Sequence, residues 1–220
     1  MLALSTIDRD ILMSNAPLIV AALETVAPGC VQQVECGSFS RKKQWMLNGA
    51  WRIRPAIVDD ARAIAEVHVE SWKSTYRGIF PDALLEGLSV EKRESGWRDI
   101  LAGSAITLVG YDASGTIAGF ASGGKERTGQ LGCDGELYAI YLRQEAQRKG
   151  LGSLLVRRLA HELDARGFSS MAVWVLDLNP SRTFYESLGG KVIGQQSIER
   201  GGQTFIEVAY GWQSLKVFLE

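Results

Sequence analysis

The sequence has little of what marks disulfide-rich, metal-binding, membrane or nucleic-acid-binding proteins. Its 220 residues include three cysteines and no C-x-x-C pair, so we predict neither a disulfide framework nor a cysteine-based metal site. This usage favours a reducing compartment, and we expect a cytoplasmic protein without a metal. The net charge of −1 argues against nucleic-acid binding, which needs a basic surface. No apolar run approaches the roughly 18 residues of a membrane span, so no membrane partner is expected.

Two widespread phosphate-binding motifs are missing as well. The nucleotide-triphosphate loop, G-x-x-x-x-G-K followed by Ser or Thr, does not occur. The dinucleotide fingerprint G-x-G-x-x-G begins at Gly150 and fails at its third glycine, where Leu155 stands. It also comes late in the chain, without a strand–helix–strand unit ahead of it. Neither of these two nucleotide-binding modes is therefore predicted.

Length and composition fit one main domain with an amino-terminal addition. With 46% hydrophobic residues, the chain can bury one substantial core. We place an extension at residues 1–50 and the domain at residues 51–220. Apolar residues in Ser5–Val26 favour a helix that packs on the domain or on a second subunit. Alternatively, a natural start at Met46 makes residues 1–45 incidental.

Hydrophobic periodicity and turn residues predict strands and helices in an order that suits a mixed sheet flanked by helices. Two of the strands are joined by Asp112-Ala113-Ser114-Gly115, a clear hairpin signal. The predicted strands are Trp51–Ala56, Ala105–Tyr111, Thr116–Gly123, Glu136–Leu142, Met171–Leu176, Val192–Glu199 and Thr204–Tyr210. The predicted helices are Asp59 to about Trp72, Pro81–Gly87, Val90–Ala102, a leucine-rich helix from Leu151, and Asn179–Leu188.

The most informative segment is the turn Gln147–Gly152. It follows a predicted strand and opens a helix whose leucines recur every three or four residues. A glycine-containing turn at a helix start directs several backbone N–H groups and the positive end of the helix dipole at one point. Gly150 and Gly152 leave that point open, and Arg148 and Lys149 add positive charge. The segment therefore predicts a site for a phosphorylated ligand.

Gln147, Gly150 and Gly152 also fit the pattern Q/R-x-x-G-x-G/A, and here the sequence resembles the GCN5-related N-acetyltransferase (GNAT) superfamily. The segment from Asn179 to Gly190 is similar to a second motif of that family, N-x-x-(S/A)-x-x-(F/L)-Y-x-x-x-G-F, although Gly190 stands where an aromatic residue is usual. The resemblance covers roughly residues 51–212. It implies the family's mixed α/β fold: a mostly antiparallel sheet of about seven strands, with splayed strands four and five, flanked by helices.

The resemblance implies acetyl-CoA as co-substrate, with its pantetheine arm between the splayed strands and its amides bonded to the edge of strand four. The cofactor-binding residues implied in this way are Ile140, Tyr141, Leu142, Gln147, Arg148, Lys149, Gly150, Leu151, Gly152, Ser153, Asn179, Arg182 and Tyr185. Without the resemblance, Ile140 to Leu142 is a core strand and Asn179 is the cap of a helix. The two interpretations are compatible.

The resemblance also implies direct attack of an amine on acetyl-CoA in a ternary complex. Tyr185 matches the family's general-acid tyrosine, which protonates the leaving thiolate; the alternative is a buried anchor for its helix. An ammonium acceptor must first lose a proton, and a carboxylate can take it. Glu136 is the first candidate base, with a solvent-facing strand end as the alternative, and Glu70 is the second. A backbone N–H at Ile140 or Tyr141 would stabilise the oxyanion.

The acceptor is defined only by class. Residues 59–99 contain nine acidic and six basic side chains, which favours a cationic small amine: a polyamine, an amino sugar or an aminoglycoside antibiotic. Glu70, Trp72 and Tyr76 are the predicted substrate-binding residues, although helix solvation and core packing explain them as well. The alternatives are a protein or peptide N-acetyltransferase and a coenzyme A-binding sensor without catalysis. We expect a homodimer, as many relatives are.

Overall fold

The structure, a computed structural model, describes residues 51–219 and the backbone of residues 46 and 47. Its strands are β1 (Met46–Leu47), β2 (Trp51–Pro55), β3 (Ile106–Tyr111), β4 (Ile117–Lys125), β5 (Gly135–Leu142), β6 (Met171–Leu176), β7 (Lys191–Arg200) and β8 (Gln203–Trp212). Its helices are α1 (Ala61–Thr75), α2 (Asp82–Glu86), α3 (Val90–Ala102), α4 (Leu151–Ala165), α5 (Arg182–Ser187) and α6 (Lys216–Leu219). Short 3-10 helices at Val58–Asp60 and Gln144–Ala146 precede α1 and α4.

All eight strands form one mixed sheet in the order β1-β2-β3-β4-β5-β6-β8-β7. Every neighbouring pair is antiparallel except β5 and β6. That parallel ladder consists of two residue pairs, Gly135 with Met171 and Glu136 with Ala172, after which the strands separate. The predicted fold class is confirmed, and the predicted strands four and five are β5 and β6. The two-residue strand β1 adds to the seven that were expected.

The predicted extension at residues 1–50 lies outside the described residues, apart from β1. Met46 and Leu47 pair with β2 at the edge of the sheet, so these two residues belong to the sheet of the domain. The helix predicted at Ser5–Val26 falls on residues that are not described. Across residues 51–219, none of the helices combines the length and the apolar character needed to cross a membrane.

Helices cover both faces of the sheet. Phe120 of β4 packs against His68 of α1 and Trp97 of α3. Position 123 faces the opposite side of the sheet, because it is an odd number of residues from Phe120 along the same strand. A Cβ on Gly123 would come within 2.9 Å of Leu159 of α4, so the glycine allows α4 to approach closely. The two faces are therefore an α1–α3 face and an α4 face.

Helix α4 is held with its first turn against the sheet. Its apolar stripe is buried and consists of Leu151, Leu154, Leu155, Val156, Leu159, Ala160 and Leu163. Burying a leucine side chain contributes roughly 1.5–3 kcal/mol, so this stripe fixes the helix firmly. Leu151 lies over Gly110 of β3, where a Cβ would approach a leucine methyl to 2.6 Å. The packing thus places the beginning of α4 beside the end of β5.

Candidate active site

A cleft of about 780 Å³ lies where β5 and β6 have separated. One wall is the end of β5 with the first turn of α4, and the other is the segment that leads from β6 into α5. The lining residues are Leu142, Gln147, Arg148, Gly150, Gly152, Ser153, Pro180, Ser181, Thr183, Phe184 and Ser187. The structure therefore brings the two sequence motifs, which are about thirty residues apart in the chain, to opposite sides of one cavity.

The turn before α4 has an unusual backbone. Gly150 has a φ of 83° and Arg148 a φ of 56°, and Arg148 is the one non-glycine residue with a positive φ in the described part of the chain. The first helical bond of α4 runs from the Leu154 N–H to the Gly150 carbonyl at 3.1 Å. Earlier N–H groups of the helix have no acceptor within it. The turn directs these donors at the cleft, an arrangement suited to an anion.

Gly152 keeps the cleft open between its two walls. A Cβ at this position would lie 3.4 Å from the ring of Phe184 across the gap. Any larger side chain would fill the space between α4 and α5. Leu151, by contrast, is fully buried under the sheet, so only its backbone can take part in binding. Ser153 borders the cleft, and Lys149 is exposed beside it.

The edge of β5 presents alternate residues to the cleft. The Arg143 N–H donates to the Ala118 carbonyl at 2.8 Å, which sets the phase of the β4–β5 ladder. Hydrogen-bonded and non-bonded pairs alternate in an antiparallel ladder, so the N–H and C=O of Ile140 and of Leu142 point away from β4. The backbone groups of Tyr141 point towards β4. Of the three predicted edge residues, Ile140 and Leu142 thus face the gap.

The Leu142 carbonyl is already bonded from two sides. The Ser71 hydroxyl of α1 donates to it at 2.9 Å and the Gln147 side-chain amide at 3.3 Å. Through this bond the Gln147 side chain ties the turn to β5, and Gln147 stays a predicted cofactor-binding residue. Ser71 was missed at the sequence level, although a small polar residue in the buried stripe of α1 is a usable signal.

The second motif folds around Asn179, which is buried. Its Oδ1 accepts from the Ser181 N–H at 2.9 Å, and its Nδ2 donates to the Tyr76 hydroxyl at 3.3 Å. The first bond holds the segment that lines the cleft. The second joins this segment to the end of α1. The structure thereby brings Tyr76, predicted on the acceptor side, next to Asn179, predicted on the cofactor side.

Tyr185 and Arg182 of α5 lie behind the cleft wall. Tyr185 is fully buried, stacked on Tyr210 with ring centroids 5.9 Å apart. Arg182 donates to the Tyr210 hydroxyl at 3.0 Å and pairs with Asp177. The hydrogen bond with Tyr210 raises the pKa of Arg182, and burial raises the pKa of Tyr210. Arg182 is therefore engaged within the protein.

Glu136 is completely buried at the start of β5. Arg127 donates to its two carboxylate oxygens at 2.6 and 3.0 Å, and the Arg127 backbone N–H lies 3.3 Å from one of them. The solvent-facing alternative is excluded by this burial. A base at this position would have to release its guanidinium first. Arg127 was missed because it lies in an irregular loop where spacing carries no signal.

Of the predicted substrate-binding residues, Trp72 and Tyr76 contact each other, with ring centroids 5.2 Å apart, and Glu70 lies apart from them. Glu70 is exposed and paired with Arg143, which lies 2.9 Å from it directly after β5. Trp72 is fully buried and stacks with Phe80, with centroids 5.9 Å apart. Trp72 therefore belongs to the core, whereas Glu70 lies on the surface. Tyr76 accepts a hydrogen bond from Asn179 of the second motif.

Comparison with known proteins places these features in a family. A family model described as FR47-like protein matches residues 130–198, which contain β5, the turn, α4, β6 and α5. The uncharacterized N-acetyltransferase YuaI of Bacillus subtilis is 42% identical over 164 residues, which cover 74% of this chain and 93% of that protein. A spermidine N(1)-acetyltransferase of Thermoplasma acidophilum is 27% identical over 146 residues, covering 64% of this chain and 88% of that protein.

Solved structures share the fold. The crystal structure of the PaiA N-acetyltransferase of Thermoplasma acidophilum in complex with coenzyme A superposes with a TM-score of 0.56 at 25% identity, over 72% of this chain and 98% of that chain. Three observations point to one family: the splayed parallel pair, the glycine turn at the start of α4 and the long match to YuaI. The chain belongs to the GCN5-related N-acetyltransferase superfamily and is an N-acetyltransferase.

Proposed function

We propose that the protein transfers the acetyl group of acetyl-CoA to a primary amine of a small cationic molecule, by direct attack in a ternary complex. The observation that carries the proposal is the cleft at the divergence of β5 and β6, with the donor-rich turn Gln147–Gly152 on its wall. The coenzyme A complex of the PaiA enzyme, which has the same fold, supports the choice of donor. The spermidine acetyltransferase similarity supports a cationic acceptor.

The cleft wall offers a separate contact to each part of the donor. Backbone N–H groups of the turn and of Gly152 and Ser153 bind the pyrophosphate, and Arg148 and Lys149 contribute charge. The pantetheine amides bond to the edge of β5, where Ile140 presents both of its backbone groups. Asn179 orients the opposite wall. Arg182 supports α5 through Tyr210 and Asp177.

The chemistry needs an oxyanion donor and an acid. The amine nitrogen attacks the thioester carbonyl, and the Ile140 N–H, which points into the gap, stabilises the oxyanion. When the C–S bond breaks, the thiolate takes a proton from the Tyr185 hydroxyl. The new amide nitrogen releases one proton, which restores the tyrosine directly or through solvent. Because Tyr185 is buried behind Phe184, the sulfur must reach the floor of the cleft to meet it.

The proton of the acceptor ammonium goes to solvent in this scheme. Both carboxylates predicted as bases are held by arginines, Glu136 by Arg127 and Glu70 by Arg143. Each would have to exchange its arginine for the ammonium before it could accept a proton. We therefore propose that the amine reacts after it has lost its proton, so that the rate rises with pH until the amine is neutral.

The first test is thiol release from acetyl-CoA with a panel of polyamines, aminoglycosides, amino acids and short peptides. Turnover on polycationic small molecules alone supports the proposal. Turnover on peptides alone moves the function to protein modification. Binding of acetyl-CoA, seen as a rise in Tm, without turnover on any acceptor would favour the non-catalytic sensor.

Two further predictions concern the state of the protein in the cell. A homodimer is predicted because many relatives are dimers, and light scattering of the full chain measures the oligomeric state directly. A cytoplasmic location is predicted from the low cysteine count, and fractionation of cells tests it.

A further inference from the structure

Strand β5 contains a bulge where the two halves of the sheet separate. The register with β4 skips Tyr138, so this residue has no partner across the ladder. The ladder with β6 ends two residues earlier, at Glu136. Bulges re-aim a strand and often occur next to active sites. Tyr138 therefore sets the direction of the β5 edge that continues to Ile140.

Arg127 holds this bulge from one side. Its guanidinium lies over the Tyr138 ring, 4.0 Å from the centroid, and donates to both oxygens of Glu136. The carboxylate is completely buried, whereas the arginine side chain is 23% exposed. A planar guanidinium in a two-point contact has a fixed orientation, which a lysine cannot reproduce. Glu136 and Tyr138 are thus locked together through Arg127.

A second set of contacts holds the other end of the Tyr138 side chain. Its hydroxyl donates to the Lys125 carbonyl at 2.7 Å. Gly124 leaves room for the phenol, since a Cβ there would come within 2.7 Å of the hydroxyl oxygen. The tyrosine is consequently fixed at its ring and at its tip.

Arg127 belongs to a segment that spans the divergence of the strands. We call residues 126–134, between β4 and β5, the strap. Glu126 accepts from the Thr128 and Gly129 N–H groups, which gives the strap a compact start. Leu131 in its middle packs against Trp174 of β6 and its neighbours. The strap is therefore attached to β5 through Arg127 and to β6 through Leu131.

We infer that Arg127 is a positioning residue for acetyl transfer. The inference rests on the proposed function and extends it. Arg127 fixes the Tyr138 bulge and thereby aims the Ile140 N–H at the position of the oxyanion. Glu136 acts through Arg127, as the buried carboxylate that orients the guanidinium, and not as the proton acceptor.

The test compares R127Q, R127K, E136Q and the double variant R127Q/E136Q with the wild-type enzyme, by kcat, KM for acetyl-CoA and the pH profile. R127Q is expected to lower kcat about 100-fold, as misplacement by about 1 Å does, with little change in KM for acetyl-CoA. R127K should lie between R127Q and wild type. E136Q should lose a similar factor and keep the shape of the wild-type pH profile. The double variant should be no worse than R127Q, because the two residues act as a unit.

Contrary results are equally clear. A wild-type kcat in R127Q, or losses that multiply in the double variant, would overturn the inference. So would an E136Q loss far larger than that of R127Q together with a flattened pH profile, which would make Glu136 the base. R127Q can fail to fold because it leaves a buried carboxylate unpaired. In that case R127K and the double variant test the inference, since R127K keeps a cation beside Glu136 and the double variant removes the carboxylate.

A matched control removes an exposed ion pair. R98Q breaks the Arg98–Glu94 contact of 2.8 Å on the surface of α3 and should leave every parameter unchanged. Failure of the proposed function shows itself separately, as a wild-type enzyme that is silent with every acceptor. That result would overturn the proposed function and, with it, the inference that rests on it.

Discussion

Arg148 has the backbone conformation of a glycine. Its φ of 56° lies in the left-handed region, which costs a residue with a side chain roughly 1–2 kcal/mol. Such strain tends to be retained at binding sites, where the local geometry is needed. Here it shapes the turn that leads into α4 and places a guanidinium beside the cleft.

Arg148→Gly separates the strain from the charge. Relief of strain, less the added entropy of the unfolded chain, should raise the free energy of unfolding by about 0.5–1 kcal/mol. Loss of the charge should raise KM for acetyl-CoA severalfold. Lys149→Gly is the control, because it removes a neighbouring charge without relieving strain and should lower stability instead. Thermal denaturation and thiol-release kinetics measure both effects, and a destabilised R148G would contradict the account.

Tyr185→Phe tests the proposed acid. Loss of the hydroxyl should lower kcat by about 100-fold or more while the fold is kept, because the ring still stacks on Tyr210. Tyr111→Phe, on the half-buried end of β3, is the matched control and should not change kcat. Full turnover by Y185F would assign Tyr185 to packing alone.

Sequence patterns select individual residues better than they select partners. Glu136 is identified by its place at the start of a strand, and Asn179 by its motif. No pattern identifies hydrogen-bonding partners at a distance. Arg127 lies 9 residues from Glu136, and Ser71 lies 71 residues from Leu142. Long-range pairs depend on the register of the sheet, and a single sequence does not contain the register. The interpretation of Glu136 changes for that reason.

At the scale of elements, the junction of β5 and β6 depends on one carboxylate. Asp134 accepts from the backbone N–H and the hydroxyl of both Ser169 and Ser170, just before β6 begins. Burial alone would raise the pKa of Asp134, but the hydrogen bonds from Ser170 and Ser169 lower it far below its ordinary value. Asp134 thus joins the starts of the two strands beside their short ladder.

Asp134→Ala is expected to loosen this junction. Losing several hydrogen bonds to a charged but solvent-exposed group should cost about 2 kcal/mol of unfolding free energy. Faster hydrogen exchange at Gly135, whose N–H donates to the Ser170 carbonyl, should accompany the loss. Asp99→Ala on the exposed face of α3 is the control and should cost less than about 0.5 kcal/mol. Equal stability of the two variants would refute the role of Asp134.

Elements with strong local signals were predicted well. The β3–β4 hairpin follows from alternation around Asp112 to Gly115, and α4 follows from its leucine spacing. Helix α1 runs to Thr75, three residues beyond the predicted end, because the terminating signal at Tyr76 to Gly78 acts only there. The bulge at Tyr138 was not predicted, since it arises from pairing with β4 and has no local pattern.

For the whole molecule, acid should be destabilising in a defined range. Burial would raise the pKa of Asp60, but hydrogen bonds from Arg54 and the Ile57 N–H outweigh it and lower that pKa. The pKa of Asp134 is also lowered, by its hydrogen bonds with Ser170 and Ser169. A carboxyl whose folded pKa lies below its ordinary value of 3.8 stabilises the fold above that pH. This contribution is lost as the pH falls further, through the folded pKa.

Equilibrium unfolding in urea between pH 7 and pH 2 checks this expectation. Stability should be nearly level down to about pH 4 and should fall below it. Asp134→Asn removes one of the titrating groups and should therefore flatten the acid branch while lowering stability at pH 7. A wild-type protein that gains stability on acidification would contradict the assignment.

The two-rung ladder between β5 and β6 has a mechanical consequence. It divides the sheet into a five-stranded part and a three-stranded part, which are joined along a quarter of β5 and a third of β6. A donor molecule bonded to the edge of β5 would extend the sheet like an added strand and stiffen the junction of β5 and β6. Donor and enzyme would then share one sheet, and the sheet would be most rigid when the donor is bound.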